Sequence, residues 1–166
     1  DLHSFPTRRS SDLSFYFKQD NALFAEWQWE AKQQGLKIRV GRWTVPGEPI
    51  AVLVDFTPYY EQKDEIYGWL WENYQVDSLH AYGDYDEASM FSYAAALVTE
   101  SFYNHYLSPL TSHHSPLKVI YHANEWMCGL GALYINNKLP QIGTVFTTHA
   151  TSIGRSIAGN MKPLYD

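Results

Sequence analysis

Between Lys118 and Arg155 the chain reads KVIYHANEWMCGLGALYINNKLPQIGTVFTTHATSIGR: a strand, a helix, a second strand and the opening of another helix. Strand–helix–strand alternation of this length implies a right-handed crossover between parallel strands. That constrains the fold more than any other part of the chain, because parallel strands need helices over their faces. Polar, reactive residues stand at both strand ends: His122, Asn124 and Glu125 after the first, Thr148, His149 and Arg155 after the second. In open α/β sheets, ligands bind outside the carboxyl ends of the strands. Two such ends one helix apart make half of an active site.

The rest of the chain extends the same α/β pattern. Asn21 is placed to cap a helix through LFAEWQWEAKQQ, with Leu23, Trp27 and Ala31 on one face and Gly35 at its end. IRVGRWTV and IAVLVDF read as strands joined by Pro46-Gly47-Glu48-Pro49, and the second is apolar enough for burial on both faces. EQKDEIYGWLWENY is a helix with acidic residues in its first turn, and VDSLHAYGDY is loop-like. A long helix follows from Glu87 to Leu107, with Phe91, Ala95, Val98 and Phe102 as its inward stripe. Lys118–Tyr121 reads as a short buried strand. Asn124 or Glu125 then opens a helix that Asn136, Asn137 and Pro140 bring to an end. The expected fold is α/β, a Rossmann-like, mostly parallel sheet with flanking helices. Ile50–Asp55, Lys118–Tyr121 and Thr144–Thr148 are its central, mutually parallel strands.

Composition excludes several classes. A formal charge of -6 argues against nucleic acid, which needs clustered Lys and Arg. No apolar run approaches the ~20 residues of a membrane span. The single cysteine, Cys128, rules out an internal disulfide and points to a reducing cytoplasm. His113 and His114, with His105 nearby, lack a matched carboxylate or cysteine, so no metal is expected, and nothing visible requires a cofactor. Neither GxGxxG nor GxxxxGK[ST] occurs. Trp27 and Trp69 read as core residues, with Trp29 and Trp71 partly exposed and Trp126 packed inside. Asp1–Leu13, DLHSFPTRRSSDL, is polar and aperiodic and is read as a non-native segment. That leaves 14–166 as an incomplete N-terminal Rossmann-like domain, ending just after a helix begins.

Several segments carry a family resemblance. TVFTTHATSIGR resembles the FTTHAT-x-x-GR signature of glycogen synthases of the animal and fungal type, and HANEWMCGLG resembles their H-x-H-E-W-x-x-G segment. KIRVGRWTVPGEPIAVLVDF is similar to the family's GRW hairpin, and DYDEASMFSYAAALVTESF to its long helix. The resemblance covers roughly Ala31 to Arg155. One departure is visible: Asn124 stands where the family usually has a second histidine, as in the HANDW context of the sister starch synthases.

The resemblance implies a fragment of the N-terminal domain of a GT-B retaining glycosyltransferase. Its partners would be a nucleotide-glucose donor, UDP-glucose ahead of ADP-glucose, and an α-1,4-glucan acceptor. Homo-oligomerisation of the full-length enzyme is left open, and the fragment alone is expected to be inactive. By the same resemblance His149 borders the sugar, Glu125 lies near it and Arg155 faces the donor phosphates. Asn124, Thr148 and His122 line the substrate. On the residues alone, the alternatives are turn-stabilising for His149, helix capping for Glu125, a surface ion pair for Arg155 and a buried strand end for His122. A non-catalytic glucan-binding or regulatory module is the competing function.

Overall fold

The computed structural model describes residues 16–80, 83–110, 118–149 and 151–163. The Asp1–Leu13 segment and the His113–His114 pair lie outside them. The chain divides into two compact units, one up to Asp55 and one from Phe56.

In the first unit, β1 (Phe17–Gln19), β2 (Ile38–Trp43) and β3 (Ile50–Val54) form an antiparallel sheet in that order. The β2–β3 hairpin pairs Val40 with Val52 and Arg42 with Ile50. Its turn holds Gly47 and Glu48 at positive φ, and Arg42 Nη1 donates to the Glu48 carbonyl at 3.0 Å. Helix α1 (Ala25–Gln33) buries Trp27 and Ala31 one turn apart. Asn21 is not its cap. Asp20 Oδ1 instead accepts from the amides of Ala22 and Leu23, and Phe24 enters the helix in the left-handed region. The helix ends as expected. Gly35, at φ 81, donates to the Lys32 carbonyl, and Leu36 donates to Ala31, the paired bonds of a Schellman motif.

The expectation of three mutually parallel strands is corrected here. β3 lies antiparallel to β2 at the edge of its sheet, with Ile50 exposed and Ala51 to Val54 half-buried. A run of β-branched residues measures how well a strand tolerates burial, not which strand it pairs with.

In the second unit, a 3₁₀ segment (Thr57–Gln62) leads into α2 (Lys63–Tyr74), followed by α3 (Asp86–Phe102) and a π turn (Tyr103–Leu107). Next come β4 (Ile120–Asn124), a 3₁₀ turn (Trp126–Cys128), α4 (Gly129–Lys138), β5 (Gly143–Thr147) and α5 (Ser152–Gly159). β4 and β5 are parallel, in register from Ile120↔Gly143 to Asn124↔Thr147. The α/β crossover read from the sequence is therefore present.

Helix α3 buries residues on two sides. Met90 joins Ile66, Tyr67, Leu70 and Leu130 in one cluster, while Ala96 joins Tyr134, Ile135, Leu139 and Ile142 in another. The expected stripe of Phe91, Ala95, Val98 and Phe102 holds only for Val98, which is buried. Phe91 is exposed and meets Phe56 edge-on at 5.9 Å, and Ala95 and Phe102 are half-buried. A helix packed on two sides brings small residues to its contacts, because large ones would hold its neighbours away.

The starts of α2 and α3 are tied by Asp86, whose carboxylate accepts from Lys63 Nζ at 2.9 Å and from Tyr67 OH at 2.6 Å. Burial by itself would raise the Asp86 pKa. The hydrogen bonds from Tyr67 and Lys63, with the lysine charge, outweigh burial and hold it below the ordinary carboxylate value. A carboxyl depressed in the folded state contributes stability that is complete above its unfolded pKa of about 4 and is lost as pH falls below that. Asp86→Ala is expected to cost about 1–3 kcal/mol at pH 7, because the buried Tyr67 hydroxyl loses its acceptor. Urea unfolding at pH 7 and pH 3 checks this: the gap between wild type and variant should narrow at the lower pH.

Candidate functional site

The parallel register brings the carboxyl ends of β4 and β5 to one edge, with Asn124 opposite Thr147. Glu125 extends the ladder by one bond, donating its N–H to the Thr147 carbonyl at 2.7 Å. Its backbone then leaves the strand at φ 73, ψ 159. That region is open almost only to glycine and costs another residue on the order of 1–3 kcal/mol. This break explains why the helix does not begin at Asn124 or Glu125. Asn124 closes the strand, Glu125 heads the 3₁₀ turn, and α4 starts at Gly129.

Three of the expected site residues are bonded together. Glu125 Oε1 accepts from the His149 backbone N–H at 2.9 Å, and Oε2 accepts from Trp126 N–H at 3.3 Å. The His149 ring lies with Nε2 3.1 Å from Asn124 Oδ1. Alongside, His122 Nε2 is 2.9 Å from Thr147 Oγ1. His122, Asn124, Thr148 and His149 are exposed, and Glu125 is half-buried.

Arg155 follows on α5, where Thr151 is the N-cap and its Oγ1 accepts from Gly154 N–H at 2.9 Å. The guanidinium is exposed and takes part in none of the ion pairs among the described residues. Placed near the positive end of a helix, it opposes the macrodipole and calls for an anion.

Behind the rim, α4 lies hard against α3. A Cβ on Gly131 would stand 2.7 Å from the Ser92 carbonyl oxygen and 2.7 Å from Tyr121 OH, and Gly131 N–H donates to the buried Ser92 Oγ at 2.6 Å. Burial, with a smaller contribution from Cys128, pushes Tyr121 up to about 12, so it remains a neutral phenol.

Three environments correct the sequence expectation. His122 is exposed rather than buried, and Ile120 is 66% exposed, so β4 is not a buried strand. Trp126 is 53% exposed rather than packed in the core, and it opens the short 3₁₀ turn ahead of α4 rather than lying on the helix itself. Trp27 is fully buried, while Trp29 and Trp71 are exposed, as expected. Thr147 and Thr151 also belong to the site region and escaped the sequence reading. A threonine just before a helix, a preferred N-cap, was the available signal for the second. Among the described residues, no cluster of three His, Cys, Asp or Glu could hold a metal ion. No described helix is long and apolar enough to cross a membrane.

The glycogen synthase family model matches residues 18–166. Among curated proteins, the chain is 27% identical over 135 residues to a glycogen [starch] synthase of Neurospora crassa, covering 81% of this chain and 18% of that protein. It is 30% identical over 132 residues to the glycogen [starch] synthase of Caenorhabditis elegans, covering 80% and 19%. With the liver glycogen [starch] synthase of Mus musculus the identity is 30% over 134 residues, covering 81% and 18%. The chain thus spans about a fifth of the length of these relatives.

Proposed function

Because the chain belongs to the glycogen synthase family, we propose that it forms one wall of the donor cleft in a GT-B retaining glucosyltransferase. That enzyme moves glucose from a nucleotide-glucose, UDP-glucose in this reading, to the non-reducing end of an α-1,4-glucan in the cytoplasm. The observation that carries the reading is the bonded group of Asn124, Glu125 and His149 at the carboxyl edge of a parallel strand pair. This is the edge where α/β folds bind their ligands.

In this reading His149 borders the glucose, where positive charge develops at the anomeric carbon as the donor bond breaks. Glu125 stands directly beside it. Asn124, Thr148 and His122 line the sugar side of the rim, and the Arg155 guanidinium neutralises the donor diphosphate, so no metal need do so. Nothing in the reaction calls for a cofactor.

The test is donor binding by the whole enzyme with UDP-glucose and ADP-glucose in parallel. Arg155→Ala should weaken the preferred donor roughly ten- to hundred-fold, equivalent to the 1.5–3 kcal/mol of one charge-assisted hydrogen bond. Unchanged affinity for both donors would remove Arg155 from the diphosphate. A wild-type enzyme that turns over neither donor would overturn the function itself.

A further inference from the structure

Successive residues of a strand point to opposite faces, so Asn124 and Glu125 should not both reach one partner. Here they do. Asn124 Oδ1 meets the His149 ring and Glu125 Oε1 accepts the His149 backbone N–H. The positive φ of Glu125 accompanies this loss of alternation: its own N–H still pairs with Thr147, while its side chain turns towards the chain leaving β5. A backbone held in so unfavourable a region is sustained only by surroundings that require it.

We propose that Glu125 is a positioning residue. Its carboxylate clamps the His149 amide and Asn124 steadies the ring, so that His149 is held against the end of β4. Each carboxylate oxygen has a backbone N–H donor, from His149 and from Trp126. The carboxylate thus binds the chain that carries His149, and in this proposal its effect on substrate passes through His149. Without the clamp, the His149 amide lies past the last β5 ladder bond with no strand partner, and the ring loses its fixed place. The consequence for turnover rests on the donor-cleft reading above; the clamp itself does not.

Two variants of the whole enzyme separate a clamp from a carboxylate that touches substrate. Glu125→Gln keeps an acceptor oxygen for the His149 amide and removes the charge. Glu125→Gly removes the acceptor, and glycine adopts the local backbone freely, so the variant introduces no backbone strain. Turnover should stay within about ten-fold in Glu125→Gln and fall further in Glu125→Gly. Amide exchange at His149 should quicken roughly ten- to hundred-fold in the glycine variant, the range of one hydrogen bond to a charged group. In the glutamine variant it should stay close to wild type.

Equal loss of turnover in both variants would mean that the charge itself serves the substrate, and would overturn the proposal. So would a His149 amide that exchanges equally fast in wild type and Glu125→Gly. If the wild-type enzyme transfers no glucose from either donor, the functional reading falls while the exchange measurement still decides the clamp.

Discussion

His149→Ala in the whole enzyme is expected to lower turnover about a hundred-fold or more while donor affinity changes only a few-fold. A group that acts on charge developing in the transition state contributes more there than in the bound ground state, so its loss appears in kcat. Removing one preorganised dipole from a comparable site costs about 10²–10³ in rate. His149 has that preorganisation, because its amide and its ring are each held by a neighbouring residue of the β4 end. Steady-state kinetics with UDP-glucose and ADP-glucose decide the matter. Near-normal turnover, or a loss confined to KM, would leave His149 as a turn-stabilising residue only.

A second expected effect, on stability, is at Gly131. Helix propensity alone favours alanine over glycine by about 1 kcal/mol. Against that gain stands a Cβ placed 2.7 Å from the Ser92 carbonyl oxygen and 2.9 Å from Ser92 Oγ, in a helix contact that also carries the 2.6 Å bond from Gly131 N–H. The carbonyl belongs to the α3 backbone and cannot swing aside as a long side chain would. Overpacking of this kind costs typically 1–3 kcal/mol, so the steric effect should win and Gly131→Ala should destabilise the second unit. Gly129, two residues earlier, has nothing within 4 Å of the same virtual atom. Gly129→Ala should therefore be neutral or slightly stabilising. Urea midpoints of the two variants provide the check; a shift of the same sign in both would refute the packing argument.

Local chemistry was enough to reveal much of this protein. The Lys118–Arg155 pattern announced two strands linked by a helix, and the structure has them parallel and in register. The Pro46–Pro49 turn announced a hairpin, and Gly35 announced the end of α1. Trp27 and Ala31 announced a buried face by their spacing. These features depend on neighbours along the chain, where periodicity, turn residues and capping act directly. The polar residues at the two strand ends were legible for the same reason, since they interrupt apolar runs.

Tertiary structure alone decided which strand pairs with which and which groups touch. Ile50–Val54 has the composition of a buried parallel strand and serves as an antiparallel edge, because strand pairing is a long-range choice. Phe91 was the natural core residue of α3 by size, yet Ser92 and Ala96 occupy the contacts where α4 approaches most closely. Nothing in the letters HANEW indicates that Glu125 takes a backbone shape suited to glycine, or that its carboxylate accepts an amide twenty-four residues away. Local sequence carries the preferences of each segment. The strained backbone at Glu125 exists because contacts between distant segments, made only once the chain is folded, outweigh those preferences.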